Sequence, residues 1–197
     1  MTTQSIDPFQ DRYTAHQERK LKGITLAYKE NNHQTPFKEL MMTRVSQRFY
    51  NDKKITEEDY SFIKEAIINT PSSCNRQPIQ IMEVEDNEAM DRLLVGGKNW
   101  VSKADKILLL VADMKAYKSP AEVSYMSYLD AGFIGMSVYY ACEVLNIGVC
   151  FINPNIRDEN QEEFKEFIGD YRFCGALALG HYDKKAISIK KSNNIFI

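Results

Sequence analysis

Cysteine is scarce and scattered in this 197-residue chain: Cys74, Cys142, Cys150 and Cys174 form no C-x-x-C pair. No histidine lies near enough to them to complete a zinc cluster. The three histidines, His16, His33 and His181, are far apart, and none is nominated as catalytic. The glycine-rich and catalytic signatures G-x-G-x-x-G, G-x-x-x-x-G-K-[ST], H-E-x-x-H and G-x-S-x-G are all missing, so neither a nucleotide-binding strand-turn-helix nor a hydrolase elbow is on offer. No run approaches the roughly 18 apolar residues of a membrane span. The opening MTTQSIDPFQDRY has no basic region followed by an apolar one and is not expected to be a signal peptide. A formal net charge of -2 gives no reason to expect nucleic acid or a membrane as partner. Free thiols without bridges lead to the expectation of a reducing cytoplasm.

What is present is an ordinary globular composition, 44% hydrophobic and 26% charged. The length suits one domain, or one domain with an extended arm, with a core that needs neither metal nor disulfide. Residues 1–36 are polar, with weak helical periodicity from Arg12 to Leu21 and a loop from Lys29 to Pro36. They read as an N-terminal arm, packed or partly disordered, ahead of a domain spanning 37–197. Thr56 with Asp59 three residues on marks a helix start, followed by Phe62, Ile63, Ala66 and Ile67 at helical spacing and ended by Pro71. Strands are expected at Ile79–Val84, Lys106–Ala112, Val149–Ile152 and Cys174–Leu179, and short helices at Asn87–Leu94 and Gln161–Ile168. The continuous apolar run Lys106–Ala112 predicts a strand buried on both faces. Glu122–Leu145 reads as a long apolar helix bound for the centre of the fold or a large interface. The order is α+β, or a mixed sheet, and not a doubly wound repeat.

Three segments can carry chemistry. Thr43 to Phe49 places Arg44, Ser46 and Arg48 within five residues, a group able to converge on a phosphate or a planar polar edge. Alone, it reads first as a solvated helix end with two cations helping the dipole. The loop Thr70–Pro78 packs hydroxyls and amides between two prolines, and serves a polar planar ligand or a plain turn equally well. Asn153-Pro154-Asn155 is by itself a turn. The basic run Lys184–Lys191 is a solvated face or a phosphate-facing patch. With no nucleophile or base motif in sight, a bound cofactor would have to supply any reactivity.

In order, these segments resemble the nitroreductase family of flavin enzymes. The resemblance is carried by an R-x-S-x-R start (Arg44, Ser46, Arg48) and, about 28 residues later, a P-S-x-x-N-x-Q-P loop (Pro71, Ser72, Ser73, Asn75, Gln77, Pro78). Trp100 and Ala104 then precede the apolar strand Ile107–Val111. Asp130-Ala131-Gly132 is read as opening a long central helix, which ends in Ala141-Cys142-Glu143-x-Leu145-x-Ile147-Gly148. Leu179-Gly180-His181 follows late. The match covers residues 37–191, roughly four fifths of the chain.

The resemblance implies an α+β fold, a mixed sheet flanked by helices, in an interlocked homodimer with FMN sites across the interface. Arg44 and Ser46 would hold the FMN phosphate, and Arg48 the ribityl chain or pyrimidine edge, where a cation favours the reduced anionic ring. Pro71, Ser72, Ser73, Asn75 and Gln77 would approach the partner's flavin, and Lys190 or Lys191 the phosphate. The implied reaction has two steps: NADH or NADPH passes hydride to the flavin, then a nitroaromatic, quinone or enone takes the electrons, with no catalytic side chain required. Two departures stand out. The turn after the long helix reads Asn153-Pro154, so one backbone N–H that many members aim at the flavin is missing. The arm of about 36 residues is longer than in the smallest members. These keep open a specialised flavin protein of the same fold that fragments flavin, dehalogenates, or binds without nicotinamide turnover.

Overall fold

The structure, a computed structural model, describes residues 37–187. The expected arm over 1–36 and Lys190 and Lys191 lie outside the described residues. The elements run α1 (Phe37–Thr43), α2 (Glu57–Ile68), β1 (Ile79–Val84), α3 (Asn87–Val95), β2 (Lys106–Ala112), α4 (Pro120–Val144), β3 (Gly148–Ile152), α5 (Gln161–Ile168) and β4 (Arg172–Gly180).

The strands lie in the order β1-β2-β4-β3. All three pairings are antiparallel, so among the described residues the sheet is not mixed. An apolar run such as Lys106–Ala112 suits a parallel strand, but a central antiparallel strand covered on both faces has the same signature. Ile107 to Ala112 is entirely buried here. Leu108, Leu110 and Ala112 face α2 and α4, through Ile63, Ala131, Ile134 and Val138. Ile107, Leu109 and Val111 face α3 and α5, through Met90, Leu93 and Phe164. At about 25 cal/mol per Å² of apolar surface, this double-sided burial is the main stabilising term. The β2–β4 register shifts between Leu110 and Val111. Gly175, at φ +138°, sits at the bulge where Phe151 presses so close that a Cβ would meet its ring at 2.5 Å.

Caps set the helix ends. Thr56 accepts a hydrogen bond from the Asp59 N–H at the head of α2, as its sequence predicts. The long helix starts two residues earlier than expected. Ser119 and Glu122 form a reciprocal capping box around Pro120, which needs no N–H in the first turn. Asp130 therefore lies well inside α4 and does not open it, which corrects the reading of that motif.

Candidate functional site

The Arg44–Arg48 segment leaves α1 and runs along the edge of β3, where the Gln47 N–H donates to the Val149 carbonyl at 2.9 Å. Along this segment Gln47 is buried, while Ser46 and Arg48 on either side are half-buried. Gln47 is 2% exposed. Its amide donates to the Phe49 and Lys184 carbonyls at 2.9 and 3.1 Å and accepts from the Ala186 N–H at 2.8 Å. One buried side chain thus pins the C-terminal segment beside the two arginines. Lys185 is committed inward as well, in a buried ion pair with Glu143 that also accepts from the Thr43 hydroxyl. For Lys185, the basic run is therefore neither a solvated face nor a phosphate-facing patch.

Tyr139 of α4 organises the next layer. Its hydroxyl accepts from the Phe151 N–H at 2.9 Å and shares a 2.7 Å hydrogen bond with Ser46 Oγ. Burial, then the nearby Cys150, push the phenol pKa up, so it stays protonated. Either hydroxyl can donate in that pair, and Ser46 also lies within hydrogen-bond reach of the Cys150 thiol. The Arg44 guanidinium lies 4.8 Å from the same ring, and among the described residues it has no carboxylate partner.

Beyond the Phe151 wall lies a cavity of about 440 Å³, within the range of small-molecule sites. It is lined by Arg48, Lys98, Trp100, Asn153, Asn155 and Arg157, with Phe151 and neighbouring aliphatic groups. Arg48 sits 5.7 Å over the Trp100 ring. Asn153 closes an Asx turn, its Oδ1 accepting from the Asn155 N–H at 3.1 Å, which fixes the turn around Pro154.

The Ser72–Gln77 loop lies elsewhere. Pro71, Ser72 and Gln77 line a separate cavity of about 370 Å³ with Ile67, Ile81 and Ile134. The two cavities share no lining residue, so a single chain does not bring Arg48 and this loop together. The loop is tightly wound: Cys74, Asn75 and Gln77 all have φ between 50° and 54°, a costly conformation outside glycine. It is held because Asp130, 1% exposed, accepts from both the Ser73 N–H (2.7 Å) and the Ser73 hydroxyl (2.8 Å). Ser72 Oγ accepts from the Gln77 N–H, and the Gln77 amide donates to Asn75. Ser73 has thus committed both donors within the chain, whereas Ser72 retains its own proton.

Of the residues nominated from sequence, Arg48 and Asn153 line one cavity and Ser46 lies behind its wall, joined by Tyr139, Lys98 and Arg157, which the sequence did not single out. A tyrosine in an apolar helix looks like core, and Arg157 reaches the cavity only through the turn at Pro154.

The fold has known counterparts. A structure of a nitroreductase family protein from Streptococcus pneumoniae superposes with a TM-score of 0.70 at 22% identity, covering 82% of this chain and 98% of that one. The chain has the nitroreductase fold. The sequence profile of the nitroreductase family matches residues 41–106, which hold both the Arg44–Arg48 group and the Ser72–Gln77 loop. A protein of Archaeoglobus fulgidus, named as an NADH dehydrogenase/NAD(P)H nitroreductase, is 26% identical over 132 residues, spanning 66% of this chain and 74% of that protein. A structure from Desulfovibrio desulfuricans, of nitroreductase type and in complex with FMN, has a TM-score of 0.67 at 20% identity, covering 83% of this chain and 96% of that one.

Proposed function

We propose that the protein is an FMN-dependent oxidoreductase that draws electrons from NADH or NADPH and delivers them to nitroaromatic, quinone or related acceptors. The observation that carries this reading is the convergence of Arg44 and Ser46 on Tyr139, with Arg48 and Asn153 in the cavity beyond the same wall. The donor set fits a phosphorylated planar cofactor, with two phosphate-type donors, a cation for an electron-rich edge, an amide and an indole face, and no carboxylate in the cavity lining. When bound, the flavin supplies the two-electron chemistry. The chain's own tasks are to anchor it through Arg44 and Ser46, to place the Arg48 charge where reduction accumulates electrons, and to shield the site with Trp100 and Phe151.

The second half of the site is proposed to come from a partner copy. Separate cavities for the two motifs within one chain support this. So do the exposed apolar side chains Tyr125, Leu129, Phe133 and Met136, which repeat along one face of α4. In that arrangement Ser73 sets the shape of the loop, while Ser72, Asn75 and Gln77 present polar groups to the partner's cofactor. The proposed chain organisation is an N-terminal arm over 1–36 and an FMN-binding domain from 37 onward.

The test is an equilibrium FMN titration of the full chain and its Arg48→Ala variant. Loss of one charge-assisted hydrogen bond weakens binding by about 1.5–3 kcal/mol. A variant that retains FMN as tightly as the parent removes Arg48 from the site.

A further inference from the structure

The cavity beyond Phe151 gathers three cations. Arg48, Lys98 and Arg157 all line it and no acidic residue does, in a chain whose formal net charge is -2. Among the described residues Lys98 meets no carboxylate, and Arg157 has only Glu159, at 3.7 Å. Arg157 is half exposed but rests against the end of α3. Its guanidinium lies on Gly96, where an added Cβ would come within 2.5 Å of Nη2. Gly96 is the left-handed C-cap of α3, at φ 71°. The glycine thus ends the helix and seats the arginine, and the negative end of the helix dipole favours the cation there. Two cations at the rim of a concave, partly apolar cavity focus their field into it.

We propose that Lys98 and Arg157 form an anion subsite that receives a carboxylate or phosphate of the molecule exchanging electrons at this cavity. The inference rests on the flavin reading, in which Arg48 serves the cofactor and leaves Lys98 and Arg157 to the second ligand. Trp100 and Phe151 supply apolar faces for a ring, and the amides of Asn153 and Asn155 lie on the same wall. The favoured ligand is therefore a flat molecule with an anionic substituent. The anion comes from an acidic acceptor or from the phosphates of the nicotinamide donor.

The test compares FMN-loaded full-length protein with its Lys98→Gln/Arg157→Gln double variant. Nitrobenzene and 4-nitrobenzoate are acceptors of similar shape that differ in charge. A fall of about tenfold in the 4-nitrobenzoate to nitrobenzene ratio of kcat/KM assigns the subsite to the acceptor, a partly exposed charged contact being worth about that factor. An unchanged ratio with a similar fall in kcat/KM for the nicotinamide donor assigns it to the donor's phosphates. In the parent, either preference shrinks as salt is raised. A second readout needs no flavin. Trp100 is the only tryptophan of the chain and lines the cavity, so its quenching reports binding directly in flavin-free protein. The double variant should need about tenfold more 4-nitrobenzoate or NADP+ for half-quenching, with nitrobenzene unchanged. If the flavin reading fails while this difference persists, the anion subsite stands alone. Equal shifts for charged and neutral ligands, or no shift for any of them, overturn it.

Discussion

Asp130 in the middle of α4 and Ser73 in the Pro71–Pro78 loop are joined by two hydrogen bonds to a single carboxylate oxygen, at 2.7 and 2.8 Å. The other oxygen accepts from the Tyr117 hydroxyl at 2.8 Å. Three donors satisfy a carboxylate that is almost completely buried, and the grip offsets the strain of three left-handed residues next to it. Asp130→Asn keeps the shape but turns an N–H₂ toward one of these donors. It should cost about 1–3 kcal/mol in urea unfolding. The Ser72–Gln77 amides should also exchange hydrogen faster than in the parent. An unchanged midpoint with unchanged exchange would show that the loop is held by something else.

The apolar stripe on α4 predicts a dimer that dissociates when charged. Leu129 and Phe133 are about half exposed in the single chain, so Leu129→Glu/Phe133→Glu adds little cost to the monomer fold. Sedimentation velocity should show the parent as a dimer and the variant at half its mass, with the same far-ultraviolet circular dichroism. A variant that keeps the parent's mass would place the interface on a different face.

His181 gives a pH dependence with a definite sign. Burial, then the Lys53 charge, lower its pKa below the usual 6.5, against weaker opposing pulls from Asp59 and Asp105. Nε2 is buried without a hydrogen-bond partner among the described residues, and burial outweighs the pull of the Lys54 backbone and the two aspartates toward the charged form. The unfolded chain then binds the proton more readily than the folded one. The stability this histidine contributes is full above about 6.5 and is lost as pH falls through its folded pKa. Urea midpoints of the parent should decline from pH 7 to pH 5, and His181→Asn should flatten that decline. Parallel profiles for the two proteins would remove His181 as the source.

Much of the fold was legible because its signals are local. Lys106–Ala112 is apolar without interruption, and Thr56 with Asp59 marks a helix start by chemistry alone. The Arg44–Arg48 group was legible only in combination with the later Ser72–Gln77 loop, since either segment alone passes for a helix end or a turn. Other features depend on tertiary placement and leave little trace in sequence. Burial of both faces does not tell a parallel from an antiparallel partner, which is why β2 left the sheet type open. Asp130 looked like a helix opener because its role depends on a loop 57 residues away. Lys185 looked like one of several surface lysines until Glu143 was found beside it, buried. The capping box at Ser119 and Glu122 lies ahead of the apolar pattern, so periodicity alone starts the helix two residues late.

The central claim is that these residues enclose a flavin that nicotinamides reduce. The most direct measurement is the absorbance of FMN-loaded protein, without oxygen, as NADPH or NADH is added. The account predicts a yellow protein whose flavin band bleaches with about one equivalent of donor and returns when a nitroaromatic or quinone follows. A protein that holds no FMN, or one whose flavin stays oxidised with excess of both donors, would contradict it.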